Sequence, residues 1–368
     1  MKISAIYTKG VGPLADGVIT FENDWTEELE SKILLTGPNG CGKSTVLRAV
    51  AMLWEAAGFW LDQHKALPKN HKAREWLYRW NGIAIVFDQI QPFYDHPVGL
   101  IFGAFPWVQE ITHAHSKVNW LFGEYYKVET KKGYFINFGP VPKLDSAASI
   151  ASEFRFNEEW NKWSEGRKRL ILTHEKVDAP NLIYLDAEER RWVAPRRNVA
   201  ESLPDISTQR WLTKYAATDD WQGQLEASLI NLKTTQLHKY HDVIRDLNKF
   251  LVGKEIDPDI KPGEGRLRVK LKGQRGSNHS LDELSAGEHQ VLILIYMISR
   301  WMQPGGVVLI DEPDLYLHPS LISSLLASIE QLVQERGGQL IITSHAVDVW
   351  HRYENHGKRI ELKTRGES

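Results

Sequence analysis

Gly37–Thr45 reads GPNGCGKST, and its surroundings settle how to read it. The apolar run Ile33–Leu35 stands before it. VLRAVAMLW follows, with Val46, Leu47, Val50 and Leu53 at the spacing of one helix face. Strand, glycine-rich turn, helix is the context that the pattern G-x-x-x-x-G-K-[ST] requires. The glycines at 37, 40 and 42 let the backbone curl until several N–H groups point at an anion, and the helix N-terminus adds positive partial charge. A chance glycine turn before a helix is the plainer alternative, but it leaves the ordering of all the elements unexplained. In a phosphate cradle Lys43 reaches β- and γ-phosphates, and the Ser44 hydroxyl holds Mg²⁺. Asn39, Cys41 and Thr45 join Gly37, Gly40 and Gly42 as contacting positions. Cys41 fits there as a small residue whose backbone N–H matters, not as a reactive thiol.

A second stretch supplies acids. Gly305–Pro319 reads GGVVLIDEPDLYLHP, and its run Val307–Ile310 predicts a buried parallel strand delivering Asp311 and Glu312 at its carboxyl edge. Asp311 suits a Mg²⁺ role. Glu312 points differently and suits a general base acting on water. Adjacent acids are common on surfaces; here the apolar strand before them and the phosphate cradle elsewhere favour function. A similar strand, Gln339–Thr343, ends in Ser344 and His345. His345, just past a core strand, is placed to sense a γ-phosphate or hold the attacking water, although a lone histidine is more often structural.

Leu284–Leu292 reads LSAGEHQVL. The apolar residues Val291–Ile298 predict a buried helix that starts at Ser285–Gly287. Ser285 with Glu288 three residues on is a capping box. A hydroxyl and free N–H groups at a helix start also suit an anion. Both roles are compatible, and Ser285, Gly287 and Glu288 are candidate nucleotide contacts.

GPNGCGKST, LSAGEHQ, VVLIDEPD and TSH occur in the order and chemistry of the ABC-type ATPase superfamily. They resemble its Walker A, signature, Walker B with D-loop, and H-loop. In detail the chain resembles the soluble branch of RecF-, SMC- and OLD-type ATPases, grouped as AAA-type proteins of the 15 and 21 classes. Glu288 stands where a transporter subunit usually has Gln, DEPDLYLHP is close to that branch's pattern, and 242 residues separate Lys43 from Ser285. The resemblance implies an α/β fold: an ABC-type P-loop nucleotide-binding domain with a mixed core sheet, an antiparallel β subdomain and a helical lobe. It also implies that the signature of one copy completes the ATP site of another.

Between the motifs, Ile83–Gln89, Val98–Phe105, Val118–Glu129 and Gly133–Gly139 read as strands in an aromatic-rich region, and residues 151–180 as helical. Of 14 tryptophans, six crowd into residues 54–120, which core and partner packing explains more simply than base stacking. Leu182–Leu185 predicts another core strand. The resemblance places a Q-loop beyond it, but no glutamine stands there; Asp186, Glu188 and Glu189 remain open as substitutes. The arginines at 190, 191, 196 and 197 pair with the interleaved acids, bind phosphate or face nucleic acid, and the interleaving favours the first. Trp221–Phe250 predicts a long, broken amphipathic helix. Arg266–Gly273 alternates basic and apolar residues as a half-exposed strand, a possible DNA contact or simply a protected sheet edge. His113 and His115 have no evident metal-ligand partners. The expected division is an ATPase lobe over residues 1–195, a helical insert over 196–265, and a second ATPase lobe over 266–368.

A net charge of −2 excludes a chain coated in positive charge, though not a local basic groove. One cysteine excludes an internal disulfide and fits a reducing cytoplasm. There is no signal core at the start and no apolar run of membrane length. Only 23 residues follow His345, so no nuclease domain of the kind OLD-type proteins carry is expected. The resemblance implies an ATP- and Mg²⁺-dependent hydrolase acting as a homodimer or higher oligomer. It would switch a separate effector, a nuclease or toxin, in DNA surveillance, repair or anti-phage defence. The competing expectations are the motor subunit of a membrane transporter and a nucleotide-locked scaffold with little turnover.

Overall fold

The computed structural model describes residues 1–63, 65–126, 138–140, 158–173, 177–194, 207–218, 224–260, 265–273 and 278–366. The chain opens with β1 (Ile3–Lys9), β2 (Gly17–Thr20) and β3 (Lys32–Thr36), followed by helix α1 (Lys43–Gln63) and α2 (Lys72–Leu77). Then come β4 (Gly82–Phe87), β5 (Val98–Ala104), α3 (Phe105–Ala114), β6 (Asn119–Tyr126), β7 (Phe138–Pro140) and α4 (Glu158–Leu172). β8 (Leu182–Leu185), β9 (Leu212–Lys214), α5 (Gln224–Thr235) and α6 (Leu237–Asn248) lead to β10 (Lys254–Ile256), β11 (Arg268–Leu271) and β12 (Asn278–Ser280). The last stretch holds α7 (Ala286–Trp301), β13 (Val307–Ile310), α8 (Pro319–Gln334), β14 (Gln339–Thr343), α9 (Val347–His356) and β15 (Lys358–Glu361).

Six strands from both ends of the chain form one sheet in the order β15-β3-β14-β13-β8-β9. All its described pairings are parallel. Helical crossovers such as α8 and α9 return the chain to the same edge each time, which is what parallel pairing needs. β8, β13 and β14 are buried along their whole length, as expected for strands covered on both faces. The mixing of strand directions occurs instead in the second sheet, β2-β1-β4-β5-β6-β7, where β5–β6 is parallel and the other pairings are antiparallel.

Trp54, Trp107, Trp120 and Trp211 serve packing, whereas Trp25 is exposed. Trp54 of α1 and Trp211 before β9 stack with centroids 4.2 Å apart, and each indole N–H donates to the other residue's carbonyl. In the second sheet, Trp107 and Trp120 lie over Gly82 and Gly99, where a Cβ would meet ring carbons at 2.1 and 2.2 Å. Those strands have glycine because an indole fills the place of the missing side chain.

The expected long helix is two: α5 and α6, broken at Gln236, pack on each other and on α7. β10, β11 and β12 form a small antiparallel sheet beside them. Two basic residues of the stretch Arg266–Gly273 are paired within the chain: Lys270 with Asp257 at 2.9 Å, and Arg266 with both Glu226 and Asp282 at 2.7 Å. Residues 133–137, Arg196, Arg197 and Trp221 lie outside the described residues. Among the described residues no helix is long and apolar enough to cross a membrane, and no group of three His, Cys, Asp or Glu is placed to hold a metal.

Candidate functional site: the carboxyl edge of the parallel sheet

Strand order alone brings the distant motifs together. β3, β14, β13 and β8 are neighbours and parallel, so the segments after each leave the sheet at the same edge, about 4.8 Å apart from strand to strand. The register pairs Leu35 with Thr343, and Ile310 with both Ile342 and Leu185. Gly37–Thr45, Ser344–His345, Asp311–Glu312 and Asp186 therefore form one row.

The loop Gly37–Gly42 turns through three positive φ angles, at Gly37, Gly40 and Gly42. At Gly37 a Cβ would also lie 2.7 Å from the Cys41 Sγ, so the buried thiol fills the space that glycine leaves. Nothing crowds Gly40, where the constraint is conformational. The Lys43 ammonium folds back over the loop and donates to the Gly37 and Pro38 carbonyls at 3.1 and 3.2 Å. Asn39, Gly40 and Ser44 are exposed, and Thr45 is half-buried. A cradle of N–H groups around a lysine, opening to solvent, suits a phosphate chain.

At the end of β13, the buried Asp311 accepts from the Thr343 hydroxyl at 2.6 Å, and that hydroxyl accepts from the Glu312 N–H at 2.9 Å. Glu312 lies at φ 46°, the left-handed region that costs a residue with a side chain of order 1 kcal/mol. That turn sends its carboxylate away from Asp311 and toward His345, with Nε2 and Oε1 3.5 Å apart. Carboxylate and hydroxyl oxygens, Asp311 and Ser44, are the donors a hard cation takes. Mg²⁺ keeps most of its waters, so it does not require a three-ligand protein cage.

Sequence reasoning missed what holds this turn. Arg190 does not pair with the interleaved acids. It is fully buried, and its guanidinium donates to the carbonyls of Leu185 (2.9 Å), Asp311 and Glu312 (2.7 Å), and to Gln290 Oε1 (2.9 Å). The Gln290 amide donates back to the Arg190 carbonyl. Strand ends leave carbonyls without ladder partners, and a planar fork of five donors satisfies three of them at once. Burial pulls the guanidinium down to about 10, with the charges of Asp311, Asp186, Glu312 and Asp314 opposing, so it stays cationic at neutral pH. The sequence signal was a lone arginine just beyond a core strand, hidden by its charged neighbours. Thr343 was visible only as the end of a strand.

Of the three open Q-loop candidates, Asp186 accepts from the Tyr184 hydroxyl at 2.6 Å and pairs with Arg48 at 3.1 Å. Glu189 accepts from the Ala217 N–H at 3.2 Å. Glu188 is exposed, and its carboxylate has no hydrogen bond or ion pair among the described residues. His115 is near Tyr7, with ring centroids 4.6 Å apart, in the second sheet.

Ser285 caps α7. Its hydroxyl accepts from the Glu288 N–H at 3.3 Å, and Glu288 accepts from the Ser285 N–H at 2.8 Å. Lys254 pairs with Glu288 at 3.0 Å. Burial works against ionisation of Glu288, but the Ser285 N–H and Lys254 outweigh it and hold the carboxyl below its ordinary range. A Cβ on Gly287 would lie 2.9 Å from the Tyr316 carbonyl, so glycine lets the helix start approach the segment after β13. Ser285 is exposed, and none of its described polar contacts, nor those of Glu288, reaches residues 37–45.

A phosphate-loop strand and helix, with carboxylates at the ends of other strands of the same parallel sheet, make an ABC-like P-loop ATPase fold. The chain belongs to the family described as "AAA domain, putative AbiEii toxin, Type IV TA system", which matches residues 149–347. It is similar to Protein ea59 of Escherichia phage lambda, 35% identical over 105 residues, or 28% of this chain and 20% of that protein. It is also similar to the Retron Ec83 probable ATPase of Escherichia coli, 34% identical over 87 residues, or 21% and 16%. The aligned stretches thus span a fifth or less of these relatives. Among solved structures, the SMC head domain from Thermotoga maritima aligns over 99% of this chain and 95% of that one, with 14% identity and a TM-score of 0.42.

Proposed function

We propose that the chain is a Mg²⁺-dependent ATPase whose ATP-bound form pairs two copies, and that pairing switches a separate effector in a defence system. The observation that carries the hydrolytic part is the Glu312–His345 contact at the edge shared with the Gly37–Thr45 loop. Lys43 and the loop N–H groups bind the phosphates. Glu312 accepts a proton from the attacking water, and His345 holds that water or the γ-phosphate in place. Mg²⁺, bound through Ser44 and Asp311, would neutralise phosphate charge. Asn39, Cys41 and Thr45 contribute loop contacts, and Glu188 is the best-exposed substitute for the Q-loop glutamine.

Pairing is supported by the helix start at Ser285–Gly287, where Ser285 and Ala286 are exposed and Ser285 makes no described contact with its own phosphate loop. Offered to a second copy, the Ser285 hydroxyl and the N–H groups of Ala286 and Gly287 meet that copy's γ-phosphate. Loss of the γ-phosphate on hydrolysis then loosens the pair. The family's toxin–antitoxin description and the likeness to a retron ATPase favour defence over transport as the setting.

The test is Glu312→Gln. It should retain ATP affinity, lose hydrolysis by about a hundredfold or more, and accumulate as an ATP-bound dimer in light scattering. A monomeric variant with full turnover would remove the general-base role.

A further inference from the structure

β2 (Gly17–Thr20) is the outer strand of the second sheet, with β1 on one side and no described strand on the other. The Phe21 N–H donates to the Ser4 carbonyl at 2.9 Å, and the register pairs Thr20 with Ala5 and Val18 with Tyr7. In an antiparallel ladder the hydrogen-bonding direction alternates by residue, so Gly17, Ile19 and Phe21 face β1. The N–H and C=O groups of Val18 and Thr20 therefore turn to the open edge. Gly17, Val18 and Thr20 are exposed, Val18 by 51%. We propose that this edge accepts an extended, lysine- or arginine-bearing segment of a partner protein as an added strand.

The plainer reading is that so short a strand needs no protection from other chains. Yet the other described sheet edges, none of them longer, are protected: β15 by Lys358 and Arg359, β9 by Lys214, β10 by Lys254 and β7 by Pro140. β12, Asn278–Ser280, is polar throughout. Charged side chains and proline discourage a foreign strand from pairing with an edge. β2 reads GVIT and has neither. Charge selects the occupant. Beyond β2 a hairpin closes at the Glu22–Leu29 bridge, and its exposed Glu22, Glu27 and Glu28 make no described ion pair. The described cations that reach it are Lys358, paired with Asp24 at 2.7 Å, and Lys2, which donates to the Leu29 carbonyl at 3.1 Å. At the tip, the Asn23 side chain accepts from the Trp25 and Thr26 N–H groups at 2.9 and 3.1 Å. The backbone there is fixed while the Trp25 indole is 93% exposed. A carboxylate-rich hairpin repels nucleic acid and attracts a cationic segment, and the indole offers that segment an apolar contact. In strand addition the backbone bonds supply affinity and the flanking side chains choose the partner. A second copy of the chain fits less well, because a strand of about 13 Å cannot by itself bury the roughly 1,200 Å² of a stable interface.

The experiment is fluorescence anisotropy of a labelled, end-capped peptide of alternating lysine and valine, titrated with the full chain. It should bind saturably at one equivalent, and more weakly at higher salt. A peptide of alternating glutamate and valine should not bind. Val18→Pro removes an N–H that points outward and leaves the ladder to β1 intact. It should weaken binding about tenfold or more at an unchanged melting temperature. Glu27→Lys with Glu28→Lys, at exposed side chains without described hydrogen bonds, should weaken binding as much, and decides the matter if Val18→Pro unfolds. No binding of the lysine peptide, or equal binding by either folded variant, overturns the proposal. So does equal binding of the glutamate peptide. Self-association of the unliganded chain that Val18→Pro abolishes also overturns it, and assigns the edge to a second copy. Nothing in this pairing requires ATP hydrolysis, so Lys43→Ala should bind the peptide as the unsubstituted chain does.

Discussion

At the scale of single residues, Arg190 does more than any other to shape the edge where the acids emerge. It ties the ends of β8 and β13 to Gln290, one turn into α7, and so joins the candidate base Glu312 to the helix that begins at Ser285. Arg190→Gln would leave strand-end carbonyls buried without partners and should cost about 3 kcal/mol of stability in denaturant titration. Hydrolysis should fall much further than ATP affinity, because the Glu312 turn is released while the Gly37–Thr45 loop is untouched. Arg190→Lys keeps the charge but not the fork, and should recover only part of the stability. Equal losses of ATP affinity and turnover would argue against a positioning role. None of this was legible in the sequence, where Arg190 is one arginine among four and its carbonyl partners have no identity.

At the scale of elements, α7 shows a local signal and a distant use in the same residues. The capping box Ser285–Glu288 was readable from spacing and is formed. Its carboxyl is held below the ordinary range, so its contribution is complete above the unfolded value near pH 4.3 and is lost as pH falls through the lower folded value. Glu288→Gln should therefore cost about 1 kcal/mol at pH 7, and thermal melts should show the difference closing below about pH 4. Ser285→Arg tests the distant use. It should spare ATP binding by the monomer while blocking ATP-driven pairing in sedimentation, and persistence of pairing would reduce the motif to a cap. The break at Gln236 was only partly foreseen, because the apolar stripe continues from α5 into α6 and gives no sign of the turn between them.

At the scale of the molecule, one parallel sheet carries the ATP-site candidates at its carboxyl edge. Ligand there should stabilise the whole sheet, since its strands come from both ends of the chain. Millimolar ATP with Mg²⁺ should raise the melting temperature of the unsubstituted chain by several degrees and leave Lys43→Ala unmoved. An equal rise in both would place the nucleotide elsewhere.

The sequence by itself determined the elements whose chemistry is local. The glycines of the phosphate loop, the β-branched runs of β13 and β14, and the cap of α7 each depend on neighbours within a few residues, so periodicity and spacing reveal them. Which strands lie side by side, the burial of Arg190 under the carboxylate turn and the ion pairs of Arg266 and Lys270 depend on contacts between segments that are not neighbours in the chain. Only the tertiary structure decided those, because a side chain's partners there are set by packing and not by its place in the chain.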